Sequence, residues 1–178
     1  MTRLEAYQRG LLDLIKGRGD PPADPYLQRV AGSAELAVVR EIALWWRAFQ
    51  IEAQCRLSSR LLKRLGCFET RVAAYFDGNA TSPFIEVLSR GFLRSLDAHD
   101  DRLVRAVTQF EFALLEVRSG SDQVFEIDWD RHPDVVLVAL DRGSELPAAE
   151  PEFLYRMRID RESPGAIACS RERRFPAR

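Results

Sequence analysis

The apolar residues of this chain change their period once, at Gly120. Before that point they recur every three or four positions, the spacing that lines one face of a helix. After it they alternate one by one, as on a strand. The change restricts the chain to a mainly α architecture: a helical bundle followed by a small α+β unit. The expected domains are 1–120 and 121–178.

Within the first part, punctuation marks the helices. Thr2 and Glu5 have capping-box spacing, and Leu4, Tyr7, Leu11, Leu14 and Ile15 follow at helical intervals, so a helix runs to Gly17 or Gly19. After a loop at 19–24, Pro25 suits the first turn of a short helix ending near Gly32. Ser33 is the expected N-cap of the longest element, 34–65, closed by Gly66. In it Val39, Ile42, Trp46, Phe49 and Ala53 form a seam, and Leu36, Leu44, Ile51, Leu57, Leu61 and Leu62 widen it. A helix apolar over so wide an arc is either central to its bundle or covered by a partner. Further helices are expected at 68–77, from Ser82-Pro83 to Leu96, and from Asp100 or Asp101 to Gly120. The last carries the seam Leu103, Val107, Phe110, Leu114 and Val117.

In the second part, Val124 to Trp129 alternates apolar and acidic residues and reads as a strand. His132-Pro133 opens a helix that Gly143 ends, and 146–151 is a linker. A second strand spans Phe153 to Asp160. Ser163-Pro164-Gly165 turns into a third strand, Ala166 to Ser170, and the basic tail from Arg171 is expected to fray. From the helix before Gly120 onward the order is helix, strand, helix, strand, strand. It resembles a winged helix with its third helix short or missing.

Composition excludes several classes. The 178 residues are 46% hydrophobic with a net charge of −1, so no overall field draws the chain onto DNA or anionic lipid. No apolar run nears the ~18 residues of a membrane span, and residues 1–17 hold no signal-peptide core, so the cytoplasm is the expected compartment and no membrane partner is expected. Cys55, Cys67 and Cys169 are odd in number and widely spaced, unlike a disulfide framework or a metal cluster. His99 and His132 sit at loop or helix starts with no zinc spacing around them. Nucleophile elbows and phosphate-binding glycine loops are absent. No catalytic, cofactor-binding or metal-ligating residue is therefore assigned.

Three features could bind a partner. Trp45-Trp46 places two rings about 100° apart on a helix, as core filling or as an aromatic anchor for another protein. Arg40, Arg47, Arg56, Arg60, Lys63, Arg64 and Arg71 make the long helix locally basic. Interleaved Glu41, Glu52 and Glu69 argue for an ordinary charged face over a nucleic-acid patch. The strand at Phe153–Asp160 has an edge that an extended peptide can join, with Phe153, Tyr155, Arg156 and Arg158 as its candidate contacts.

Three stretches stand out together: Arg40-Glu41-Ile42-Ala43-Leu44-Trp45-Trp46-Arg47, the Ser82-Pro83-Phe84 helix start with Phe92-Leu93, and Phe110-Glu111-Phe112-Ala113-Leu114. The last two are similar to helical proteins encoded beside multinuclear non-haem iron-dependent oxidases that modify ribosomally made peptides. The accessory subunit of 3-thiaglutamate biosynthesis is one example, and methanobactin biosynthesis uses an analogous pair. The resemblance spans residues 36–143. It implies that the oxidase holds the irons, while this chain carries no cofactor, binds the oxidase and helps to present the precursor peptide. A winged-helix DNA-binding regulator is the alternative that the same element order admits.

Overall fold

Thr2 opens the first helix with both arms of a capping box: its hydroxyl accepts from the Glu5 amide at 3.2 Å, and the Glu5 carboxylate accepts from the Thr2 amide at 2.6 Å. The resulting helix, α1 (Arg3–Lys16), ends at Gly17, whose φ of 65° is open to glycine at little cost. The computed structural model describes residues 2–17, 23–78, 84–162 and 168–173. Most of the expected loop at 19–24, the Ser82-Pro83 helix start, the turn at Ser163–Gly165 and the last five residues of the tail lie outside them.

The chain divides into two units, Met1–Gln50 and Ile51–Arg178. The first comprises α1, α2 (Pro25–Ala31, capped by Asp24) and most of α3 (Ala34–Gln54). Arg40 on α3 donates to the Leu14 carbonyl near the end of α1, at 2.9 and 2.7 Å. Tyr7 donates to Asp24 at 3.0 Å and lies against Tyr26. Among the described residues, however, this unit buries only Leu27 and Leu36, and α1 buries none.

The second unit takes in the end of α3 and α4 (Arg56–Arg64), α5 (Phe68–Gly78), α6 (Ile85–Ser95) and α7 (Arg102–Arg118). It continues with β1 (Phe125–Trp129), α8 (Pro133–Arg142), β2 (Phe153–Ile159) and β3 (Ala168–Arg173). The helical bundle and the small sheet thus follow the expected order, and the expected boundary at 120/121 falls inside this unit, between α7 and β1. The central helix is α7, which packs on α4, α6 and β1. Val104, Val107 and Ala113 on α7 are fully buried, as are Leu61, Leu62, Phe92, Val136, Leu140 and Met157. Trp129 at the end of β1 meets Phe110 of α7 edge-on at 6.3 Å.

The single helix expected over 34–65 is two helices, broken at Cys55 (φ −105°, ψ 57°). The cause comes from α7. The buried carboxylate of Glu111 accepts from the Leu57 amide at 2.7 Å and the Ser58 amide at 2.8 Å, the second and third positions of α4. A new helix start leaves such amides without intrahelical acceptors, and a carboxylate there also meets the positive end of the helix dipole. Cys55 itself supplies no side-chain cap.

At its far end α8 is closed in the same cross-chain manner. Arg60 donates to the Leu140 and Asp141 carbonyls at 3.1 and 2.8 Å, and Arg64 to the Ala139 and Ser144 carbonyls at 3.1 and 2.6 Å. Cations at a helix C-terminus satisfy its last carbonyls and oppose its dipole.

The sheet is antiparallel, in the order β1-β2-β3. Phe125, Ile127 and Trp129 stand opposite Ile159, Met157 and Tyr155, which forms the inner face. β3 continues through Arg173, so the first residues of the supposedly frayed tail are paired with β2. No helix among the described residues is long and apolar enough to cross a membrane.

Candidate functional site

Neither tryptophan of the Trp45-Trp46 pair fills a core. Trp45 is 63% exposed and Trp46 52%, and Phe49, also 50% exposed, lies between them. Phe49 is four residues after Trp45 and three after Trp46, the two spacings at which helical side chains meet. It stacks on Trp45 at 5.9 Å and 15°, and on Trp46 at 5.7 Å and 26°. Val38, Val39 and Ile42 extend the same exposed apolar surface along α3, while Leu44 is exposed on the opposite side of the helix. The seam that a helix with so wide an apolar arc buries in a core or under a partner is therefore about half exposed, at Val39, Ile42, Trp46 and Phe49. With aromatic side chains burying ~150–250 Å² each, these three rings alone leave about 300 Å² of apolar surface in water.

The expected peptide edge is corrected by the sheet order. β2 is the central strand, paired with β1 on one side and β3 on the other, so Tyr155 to Arg158 are paired on both sides and offer no free backbone edge; the edges of the sheet belong to β1 and β3. Its four candidate side chains are also engaged. The Arg171 guanidinium lies 3.5 Å from the centre of the half-buried Phe153 ring. Tyr155 is buried and donates to Glu150 at 2.8 Å. Arg156 pairs with Asp128 at 3.1 Å and Glu172 at 3.8 Å, and Arg158 with Asp160 at 3.1 Å. Register separates them further: Phe153 and Tyr155 fall on alternate positions from Arg156 and Arg158, so the two pairs lie on opposite faces.

Most of the basic run is likewise committed. Besides Arg40, Arg60 and Arg64, Arg56 lies 3.6 Å from Asp141 and Lys63 pairs with Glu52. No group of three or more His, Cys, Asp or Glu side chains among the described residues could hold a metal ion. Cys55 is fully buried beside Glu111, and burial pushes its thiol far above the range in which thiolates react. Burial also raises the Glu111 carboxyl, partly offset by the bonds from Ser58 and Leu57 and by the Arg56 charge.

Sequence reasoning missed a cleft. It lies between α4, α7 and α8, with a volume of 510 Å³. Its residues come from 54–57, 110–118 and 137–142, and no local pattern joins segments so far apart.

No protein family, curated protein or solved structure matches this chain.

Proposed function

We propose that this chain is a non-catalytic partner subunit. It binds a multinuclear iron-dependent oxidase in the cytoplasm and helps to present a ribosomal precursor peptide for modification during natural-product biosynthesis. The iron belongs to the oxidase. One observation carries the reading: a unit that buries only Leu27 and Leu36 among its described residues holds Trp45, Trp46 and Phe49 stacked in water. Rigid aromatic clusters exposed on a helix are the usual anchors of protein–protein interfaces, and a thin core gains stability from being covered. The family resemblance supplies the identity of the partner, and the second unit, with its own core, is the part left to hold the peptide.

The test is capture of the tagged full-length chain from its native cells, followed by mass spectrometry, iron analysis and an absorbance ratio for nucleic acid. Recovery of an iron-containing oxidase in stoichiometric amount is the expected result. Recovery of nucleic acid with salt-sensitive affinity would instead support a DNA-binding regulator.

A further inference from the structure

We infer that the cleft between α4, α7 and α8 binds a short peptide segment in which a carboxylate is flanked by apolar side chains. The inference rests on the peptide half of the proposed function and names the site that β2 cannot provide.

The floor of the cleft is apolar: Phe110 is buried, and Leu57, Leu114 and Leu137 are half-buried. Its volume of 510 Å³ falls within the ~300–1,000 Å³ of clefts that enclose small ligands. Charge then selects the occupant. Each acid at the cleft already has partners: Glu111 accepts two backbone amides, and Asp141 accepts from Arg60 at 2.9 Å with Arg56 at 3.6 Å. The side chains of Arg118 and Arg142, both exposed, have no hydrogen-bond or ion-pair partner among the described residues. The uncommitted charge is thus two guanidiniums beside an apolar floor. A guanidinium fork matches a carboxylate in geometry as well as charge. The cleft is open to solvent rather than enclosed, so a chain can pass into it and out again.

The arginines are exposed, so replacing them leaves the fold intact. The probe is a fluorescein-labelled peptide, Leu-Leu-Glu-Phe-Leu with an amidated end, titrated into the full-length chain by fluorescence anisotropy. Its Glu-to-Gln counterpart should bind about tenfold more weakly, and R118E/R142E should weaken the acidic peptide by tenfold or more while keeping a cooperative melting transition, lowered only as far as two anions at the ends of α7 and α8 require. Equal affinity for the two peptides, or an unaltered affinity in R118E/R142E, would overturn the inference. Displacement by decanoate at lower concentration than by unlabelled peptide would also overturn it, in favour of a small acyl carboxylate. Native capture is read separately. An oxidase recovered without cleft binding defeats this inference alone, and cleft binding without an oxidase defeats the proposed partner while leaving the site.

Discussion

Glu111 joins two helices through backbone amides. It is buried on α7, yet its carboxylate caps the start of α4 on a segment 54 positions away. Replacing it by alanine strips the acceptor from both amides and leaves a small void. Glu111→Ala should cost about 2 kcal/mol, read as a lower urea midpoint at pH 7. Its proton gives a second test. Burial holds the folded-state carboxyl above its ordinary 4.5, so the folded chain binds this proton more tightly than the unfolded one. The resulting stability is full below pH 4.5 and is lost as pH rises through the raised value. The stability of wild type relative to Glu111→Gln should therefore fall as pH increases from 4.5. A difference that grows instead would show that the two amides hold the carboxylate charged. Nothing around Cys55 announces this arrangement, because the residue that breaks the helix is distant in sequence. Thr2, Asp24, Asp101 and Gly143, by contrast, end or begin helices through bonds and backbone angles within a few residues, and those boundaries were legible.

At the scale of elements, alternation along β1 and β2 discloses which residues share a face, and Phe125, Ile127 and Trp129 do face Ile159, Met157 and Tyr155. It carries no information on which strand lies between the others, because neighbour order is decided by long-range pairing. The peptide edge expected along Phe153–Asp160 failed for this reason. Helix α3 shows the complementary limit. Its apolar arc is visible in sequence, but whether the arc faces this chain's core or another protein is decided only when the rest of the fold is in place. The structure answers that for Trp45, Trp46 and Phe49, which lie outside the core. Trp45→Ala and Phe49→Ala should consequently leave the melting temperature of the isolated chain nearly unchanged, within about 0.5 kcal/mol of wild-type stability. For α8 the expectation is opposite. Arg64→Ala removes donors to the Ala139 and Ser144 carbonyls, and amide exchange over the last turn of α8 should accelerate at a stability cost of about 1 kcal/mol, kept small by solvent screening.

For the whole molecule, the dividing line at 50/51 sets what can be separated. Residues 121–178 are not an appendage. Trp129, Val136, Leu140 and Met157 are buried in the same unit as α7, and removing them would uncover its central helix. A chain truncated after Gly120 should lose its cooperative thermal transition, which makes point variants the proper tools for assigning the two surfaces. On this account one surface, the α3 aromatic face, belongs to the oxidase, and the other, in the second unit, to the peptide. The most direct test is capture by the tagged Trp45→Ala/Trp46→Ala variant beside wild type, with melting temperatures measured on both. The account predicts that wild type brings down the iron oxidase and that the equally stable double variant recovers at most about a tenth as much. Equal recovery by the two proteins, or no oxidase with either, would contradict it.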